Sequence, residues 1–246
     1  MKHYRIGQIV PSSNVTMEIE IPQIFRMREQ HYPERFSFHS SRMRMQHVTP
    51  EALAGMDAQS DRCAIELSDA AVDVMGYACL VAIMAQGLGY HRTSQARLEA
   101  AAGDRPVVNS AGALVDALHR MGAKNIAIIT PYMKPLTQKV VDYLEHEGFN
   151  VLDRVALEIA DNLAVAAQDP MQPRALVDRL SLNNVDAIVG SCCVQMPSLP
   201  AIQAIQDHTG VPTLSASIAT SVAMMRILGL PTQLPGLGAL TQDAMA

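Results

Sequence analysis

Short apolar runs alternate along the chain with longer stretches in which apolar and polar positions recur at helical spacing. The apolar runs stop at turn residues, which is typical of strands buried on both faces of a parallel sheet. The longer stretches have one apolar face each and predict helices. Strands that alternate with helices in this way predict an α/β fold with parallel sheets.

The pattern predicts eight strands and seven helices. The strands are 5–10, 36–40, 76–81, 106–108, 125–130, 149–156, 186–191 and 212–214. The helices are 15–28, 50–75, 110–121, 135–147, 172–182, 198–208 and 216–228. Residues 82–105 are predicted as a loop that contains glycine, and 229–246 as a tail, punctuated by proline and glycine, that is only partly ordered.

The chain consists of two similar halves. The predicted strand segments Arg5–Pro11 and Asn125–Pro131 are alike, lie 120 positions apart and both stop at a proline. In each half a later apolar run ends at a cysteine, which is Cys79 in the first half and Cys193 in the second. Cysteine follows proline by 68 positions in the first half and by 62 in the second.

Ligands of open parallel sheets collect beyond the carboxyl ends of the strands. Four features of this chain lie at such ends, namely Pro11–Asn14, Cys79, Pro131–Tyr132 and Cys193. If the two halves face one another, the two cysteines meet across one cleft. This convergence is the central prediction from the sequence.

Composition describes a globular chain without the marks of a nucleic-acid or membrane protein. The 246 residues are 49% apolar and 17% charged, with a net charge of −5 and no basic block, which argues against a nucleic-acid partner. No apolar stretch reaches about 18 residues, so we expect no transmembrane helix. The N-terminal residues run straight into a strand without signal-peptide features, so we expect a cytoplasmic location and free thiols.

The two matched cysteines have two interpretations. Each is either a small buried hydrophobe or one of a pair of thiols that flank a substrate, one as thiolate and one as thiol. Their matched placement at strand ends favours the second interpretation. Cys192 points to the opposite face of its strand from Cys193 and is expected to pack, and Cys63 lies on the apolar side of a helix and is expected in the core.

Known cofactor motifs are missing from the sequence. The cysteines lack Cys-x-x-Cys spacing, the eight histidines are scattered, and neither a Gly-x-Gly-x-x-Gly nor a Walker loop occurs. We therefore expect no metal and no nucleotide cofactor.

Several polar loop residues fit either a structural or a binding role. Pro11–Asn14 suits a turn with a helix cap, a carboxylate site, or both, and Ala160–Asn162 invites the same two interpretations. Tyr132 is either a packed loop aromatic or a hydroxyl donor to a substrate. For the basic pair Arg42 and Arg44, solvation or salt bridging is favoured over binding.

Six segments together resemble the maleate cis-trans isomerases of the aspartate/glutamate racemase superfamily. The segments are Val10–Asn14, Phe38–Met45, Tyr77–Ala82, Thr130–Met133, Ala160–Asn162 and Ser191–Ser198. The last segment is also similar to the second-cysteine motif Cys-Thr-His-Tyr-Pro of the amino-acid racemases, and that register selects Cys193 over Cys192.

The resemblance implies two pseudo-symmetric α/β lobes, each a parallel four-stranded sheet flanked by helices, with the active site between them. The N-terminal lobe comprises 1–110 plus 215–246 and the C-terminal lobe 111–214. The resemblance also implies a homodimer, no cofactor and a small dicarboxylate substrate. Cys79 is implied as the nucleophile and Cys193 as the proton donor. Substrate-binding residues are implied at Asn14, Leu80, Val81, Tyr132, Asn162, Val194 and Gln195.

Thiol chemistry suits this reaction, because addition of a thiolate to an alkene carbon breaks the double bond that blocks rotation. A dianionic substrate beside a thiolate further predicts few acidic side chains and several N–H donors in the cleft. Three alternatives remain open at this point: a two-cysteine racemase, a decarboxylase of the same superfamily and a non-catalytic thiol redox sensor. Such decarboxylases keep one essential cysteine, and the racemases carry Thr-His where this chain has Val194-Gln195.

Overall fold

Eight parallel strands form two four-stranded sheets of the same topology in the computed structural model, which describes residues 2–242. The first sheet has the order β2-β1-β3-β4 and consists of β1 His3–Pro11, β2 Arg35–Met43, β3 Val74–Tyr77 and β4 Val107–Asn109. The second has the order β6-β5-β7-β8 and consists of β5 Asn125–Thr130, β6 Asn150–Ala156, β7 Ala187–Ser191 and β8 Thr213–Ser215. The predicted α/β fold with two four-stranded parallel sheets is confirmed.

Helices cover both sheets. They are α1 Met17–Glu29, α2 Pro50–Asp57, α3 Ser60–Asp69, α4 Leu80–Met84, α5 Tyr90–Ala101, α6 Ser110–Arg120, α7 Lys134–His146, α8 Asn162–Ala166, α9 Gln172–Leu176, α10 Leu199–Thr209 and α11 Ala216–Ile227. Short 3₁₀ turns occupy Val177–Arg179 and Ala239–Thr241. Among residues 2–242, the helices are all too short or too polar to cross a membrane.

The core lies on both faces of the central strands. Ile6, Ile9 and Val10 of β1 are completely buried, and every residue of β7 is buried. Burial on both faces explains why these strands are continuous apolar runs rather than alternating ones. Gly190 in β7 permits close packing of α10, because an added Cβ there would lie 2.9 Å from Ile202 Cδ1.

The structure corrects three element predictions in the first half. The predicted helix 50–75 is two helices, α2 and α3, and the predicted strand 76–81 is the earlier strand β3 followed by helix α4. All five residues of α4 are apolar and buried, so they carry no periodicity that separates a helix from a strand. The predicted loop 82–105 contains α5, whose buried positions include His91 and Ser94 and therefore give a weak apolar stripe.

Two corrections fall in the second half and the tail. The predicted helix 172–182 is α9 with a 3₁₀ turn that ends at Arg179, and α8 was not predicted. The tail is packed rather than partly ordered as far as residue 242, since Leu230, Leu234, Leu237 and Leu240 are buried. Residues 243–246 of the predicted tail lie outside the described residues.

The last helix returns to the first half of the chain. Helix α11 follows β8 of the second sheet but packs on α1, α6 and β3. Of these elements, α1 and β3 lie in the predicted N-terminal lobe, whereas nearly all of α6 lies in the predicted C-terminal lobe. The lobe boundaries therefore stay a prediction.

Candidate active site

The two matched cysteines lie at the carboxyl ends of equivalent strands. Cys79 comes two residues after β3 and immediately before α4, and Cys193 comes two residues after β7. β3 and β7 hold the same place in their sheets, next to the central strands β1 and β5. Sulfur atoms from the two halves therefore face the same cavity.

That cavity brings all nine sequence-predicted site residues together. Its lining consists of Pro11, Asn14, Met45, Val48, Ala78, Cys79, Leu80, Val81, Tyr132, Asn162, Cys193, Val194 and Gln195. The sequence interpretation missed the apolar wall formed by Met45 and Val48. Met45 belongs to the segment that carries the family resemblance, but nothing in the local pattern marks either residue as facing a site. The cavity volume of about 20 Å³ is room for about one water molecule.

Cys79 is held by the first turn of its own helix. It is the N-cap residue of α4, and its carbonyl accepts hydrogen bonds from Ala82 N at 3.1 Å and Ile83 N at 3.3 Å. Burial raises the pKa of the Cys79 thiol to about 12, the Ala82 N–H opposes that rise, and negative charge on Cys193 adds to it. The pKa-lowering effect expected of a helix start is therefore outweighed by desolvation in the closed cavity.

Cys193 is surrounded by hydrogen-bond donors. Burial raises the pKa of its thiol, whereas the Tyr132 hydroxyl and the backbone N–H groups of Gln195 and Met196 oppose that rise. Its backbone is fixed by Ser191, whose hydroxyl donates to Cys193 O at 2.9 Å and accepts from Cys193 N at 3.3 Å. Cys193 thus combines a nearly buried sulfur, 8% exposed, with several groups that stabilise a thiolate.

The other two cysteines lie in the core. Cys192 and Cys63 are completely buried, and neither lines the cavity. Burial raises the pKa of both thiols, which keeps them protonated. Their expected packing roles agree with these positions.

Tyr132 places a phenol beside the second cysteine. It is 5% exposed, and its hydroxyl donates to Cys192 O at 3.4 Å. Burial raises the pKa of Tyr132 well above its ordinary value, and negative charge on Cys193 and Cys79 adds to the rise. The hydroxyl therefore stays protonated and serves as a hydrogen-bond donor.

Asn14 and Asn162 are partly occupied by structural hydrogen bonds. Asn14 Oδ1 accepts from Met17 N at 2.9 Å at the start of α1, so its carboxamide nitrogen is left as a donor. Asn162 Nδ2 donates to Ser13 Oγ at 2.8 Å, which joins the second half to the Ser12–Asn14 loop of the first. The turn and cap interpretation of the loop at Asn14 therefore holds, and it leaves amide donors beside the cavity.

The side chain of Gln195 joins the two halves. Its Oε1 accepts from Val15 N at 3.0 Å, and its Nε2 donates to Ser13 O at 2.9 Å and to Asn162 O at 2.8 Å. The family resemblance implies that Gln195 binds substrate through its main-chain groups. Because this side chain is 3% exposed and used on both ends, its role in the structure is to hold three loops together.

Arg42 supports the site from outside the cavity. Its guanidinium donates to Asn14 O at 2.6 Å and Ser12 O at 3.1 Å and pairs with Glu18. The salt-bridged interpretation of Arg42 is thus confirmed, and the same contacts hold the Ser12–Asn14 loop. Arg44 is exposed.

The charge around the cavity suits an anionic ligand. No aspartate or glutamate is among the cavity-lining residues within 2–242. Two acidic groups outside the lining act on the thiols: Asp57, which accepts from the Tyr77 and Tyr90 hydroxyls, raises the pKa of Cys79, and Glu20 raises that of Cys193. Over the same described residues, no three His, Cys, Asp or Glu side chains are grouped so that they would hold a metal ion.

Two like α/β halves that contribute one cysteine each to a single cavity define a class of enzymes whose chemistry is carried by thiols. The arylmalonate decarboxylase family profile matches residues 6–241 of this chain. The chain is 60% identical to the maleate isomerase of Pseudomonas putida over 98% of each protein. It belongs to the maleate isomerases, which places it in the same superfamily as arylmalonate decarboxylase.

Solved structures of maleate isomerases are similar to this chain over nearly their whole length. The maleate isomerase of Pseudomonas putida S16, a cysteine-to-alanine variant with maleate, has a TM-score of 0.97 at 58% identity, with 99% of each chain covered. A cysteine-to-serine mutant of the Nocardia farcinica maleate cis-trans isomerase, with a covalently bound succinylcysteine intermediate, has a TM-score of 0.94 at 46% identity and covers 98% of this chain and all of that one.

Proposed function

We propose that this enzyme isomerises maleate to fumarate, with Cys79 as the nucleophile and Cys193 as the proton donor. The observation that supports it most is the placement of one sulfur from each half in one cavity lined by amide and phenol donors. The succinylcysteine in the Nocardia farcinica relative supports the same chemistry. Residues of this chain carry each step of the proposed reaction.

The first step is addition. The Cys79 thiolate forms a C–S bond with one alkene carbon of maleate, and the π electrons move to the neighbouring carbon and its carboxylate. That carbon takes the proton of the Cys193 thiol, which leaves a succinyl group on Cys79 and a thiolate at Cys193. The Tyr132 hydroxyl and the backbone N–H groups of Gln195 and Met196 stabilise the thiolate that forms.

The second step is rotation and elimination. The former double bond is a single bond in the adduct, so it turns freely toward the trans arrangement. The Cys193 thiolate then removes a proton from the same carbon, the double bond re-forms, and the C–S bond to Cys79 breaks to release fumarate. Thiolate and thiol return to their starting states, so the cycle balances with no added oxidant, reductant or cofactor.

Amide and phenol donors bind the two carboxylates in this proposal. The side chains are Asn14, Tyr132 and Asn162, and the main-chain groups are those of Leu80, Val81, Val194 and Gln195. Donors aimed at charge that develops in the transition state are worth more in a dry cavity than in water. The lack of acidic groups in the lining avoids repulsion between the protein and a dianion.

Substrate entry requires the cavity to widen. A volume of about 20 Å³ admits about one water molecule, which is much less than a four-carbon dicarboxylate occupies. Widening also admits water to Cys79, and this lowers the desolvation that raises its pKa. We propose that the Cys79 proton leaves in this open form. The homodimer, the absence of a cofactor and the cytoplasmic location remain predictions.

The test is incubation of the protein with maleate in reducing buffer without cofactor, while the absorbance of fumarate is followed. Fumarate is expected to form. Absence of turnover would contradict the proposal, and exchange of the α-hydrogen of aspartate in heavy water would favour a racemase instead. A redox sensor would show neither activity.

A further inference from the structure

A buried carboxylate on helix α1, in the first half of the chain, binds the end of the loop that follows Cys193. Glu20 lies in α1 and is 3% exposed. Its Oε1 accepts hydrogen bonds from Ser198 N at 2.5 Å and Leu199 N at 2.8 Å, at the start of α10. Its Oε2 accepts from Ser217 Oγ at 2.7 Å on α11.

The environment of Glu20 is unusual for a carboxylate. Buried charges are ordinarily paired with a cation, and within residues 2–242 Glu20 forms no salt bridge. Burial raises its pKa, and the hydrogen bonds from Ser198, Ser217 and Leu199 oppose that rise. A desolvated carboxylate that three donors from other elements hold in place indicates a requirement for position rather than for stability alone.

Helix α10 has a residue of its own that could cap it, but Glu20 binds the start of the helix instead. Its N-cap residue is Ser198, a residue type that ordinarily caps with its own hydroxyl, yet this hydroxyl makes no capping bond and is buried without a partner. Pro200 has no N–H, and Ala201 N donates to Ser198 O at 2.9 Å. The remaining N–H groups of the first turn are therefore both bound by a side chain from the other half of the chain.

The segment held by Glu20 begins at the second cysteine. Cys193–Ser198 is a short loop whose start is fixed by Ser191 and whose interior is closed by the bond from Met196 N to Cys193 O at 3.0 Å. Its middle is tied to Ser13 and Asn162 by the side chain of Gln195, and its far end, at Ser198 and Leu199, is bound by Glu20. A shift of that end would move the sulfur of Cys193 relative to that of Cys79.

We infer that Glu20 is a positioning residue for the reaction, which holds the Cys193–Ser198 loop so that the Cys193 thiol faces the substrate carbon next to Cys79. The inference rests on the proposed roles of the two cysteines. It predicts a defect in proton transfer rather than in addition, because the hydrogen bonds that Cys79 makes do not involve this loop. When Cys193 is misplaced, water supplies the proton that completes the succinyl group, and because no base is then positioned to remove a proton again, the succinyl group stays on Cys79.

Two conservative variants test the inference. Glu20→Asp keeps the charge but is one methylene too short to reach both α10 and α11. Its kcat is expected to fall by about tenfold to hundredfold with little change in KM, since small misplacements of a catalytic group have effects of that size. Intact-protein mass spectrometry during turnover should show a succinyl adduct on Cys79. Glu20→Gln keeps the length and an oxygen acceptor, so it should retain kcat within about threefold.

Ser217→Ala is the matched control. It removes the bond to Oε2 and leaves the two bonds to α10, so its kcat should stay within about threefold of the wild type. Thermal unfolding of each variant is measured alongside. A Glu20→Asp protein with wild-type kcat and no adduct would overturn the inference. A loss of activity without adduct, or together with loss of the folded state, would also overturn it, because either shows a role in the fold alone. Wild-type protein that does not isomerise maleate would instead overturn the proposed function.

Discussion

The loops that carry the two cysteines occupy equivalent places in the two sheets and are built differently. The hydrogen bonds of Cys79 come from the first turn of α4, in its own half. The loop of Cys193 is tied to the first half through Gln195 and Glu20, and the nearby Tyr132 hydroxyl opposes the rise in the pKa of its thiol. The two sulfurs therefore lie at equivalent strand ends in different surroundings.

The difference between the two loops fits the different roles proposed for Cys79 and Cys193. A nucleophile has to approach a carbon and leave it again, so it needs few fixed partners. A proton donor has to hold its thiolate after the proton has gone, so it needs hydrogen-bond donors around the sulfur. The two cysteines and their neighbours should therefore respond differently to substitution and to pH.

Removal of the nucleophile should have the largest effect. Cys79→Ala leaves no sulfur that forms the bond to the alkene, so kcat/KM for maleate should fall by about 10⁴-fold or more. Fumarate formation measures the loss, and mass spectrometry should find no succinyl adduct. Isomerase activity that survives in Cys79→Ala would remove the basis for assigning the nucleophile.

Removal of the proton donor should stop turnover after addition. Cys193→Ala keeps the nucleophile, so incubation with maleate should add one succinyl unit to Cys79, with water as the proton source in place of the Cys193 thiol, and steady-state fumarate formation should fall by about 10³-fold. Peptide mapping locates the adduct. The opposite result would reverse the two roles: a succinyl adduct on Cys193 in the Cys79→Ala protein, and no adduct on Cys79 in the Cys193→Ala protein.

Alkylation of Cys79 should depend steeply on pH. Burial raises the pKa of this thiol to about 12. Below its pKa the thiolate fraction grows as protons are lost, so the rate of iodoacetamide labelling should rise about tenfold for each pH unit from about pH 7 to about pH 10. The measurement follows labelling of Cys79 in the protein without substrate. A plateau near pH 8 would show that desolvation does not control this thiol.

The phenol beside Cys193 should have a smaller effect than either cysteine. Tyr132→Phe keeps the ring and removes the hydroxyl that opposes the rise in the pKa of the Cys193 thiol, so the thiolate formed on proton donation loses one of the groups that stabilise it. We expect kcat to fall by about tenfold, the usual size for one hydrogen bond to a charged group. Labelling of Cys79 at fixed pH is the internal control and should change little. Equal losses in the rate of Cys79 labelling and in kcat would mean that a shift of the ring, and not the loss of the hydroxyl, lowered the activity.

The neighbouring cysteine should matter least. Cys192 is completely buried and does not line the cavity. Cys192→Ala should therefore keep kcat within about twofold and lower the free energy of unfolding by about 1 kcal/mol, the scale for loss of a small buried group. Chemical denaturation and fumarate formation measure the two quantities. A large drop in kcat with unchanged stability would place Cys192 in the reaction.

Much of the fold was predictable because its signals are local. The Arg5–Pro11 and Asn125–Pro131 runs predicted the two central strands, since burial on both faces leaves a continuous apolar run that a single sequence displays. Helix α4 was missed because it is apolar on every side, and α5 because its buried positions include polar residues. The packing of the tail also escaped prediction, since Leu230 and Leu234 are spaced irregularly among prolines and glycines.

The site divides in the same way. Local sequence was enough to place Pro11 and Cys79 at or near strand ends, because an apolar run and the residue that stops it are neighbours in the chain. The exact end of β3, two residues before Cys79, and the way these strand ends meet came from the fold. Gln195 and Glu20 bond residues about 180 positions away, and no periodicity encodes a partner at that distance. Burial of both thiols, which raises their pKa, likewise follows from the packing of the two halves around one cavity and from no single segment of the chain.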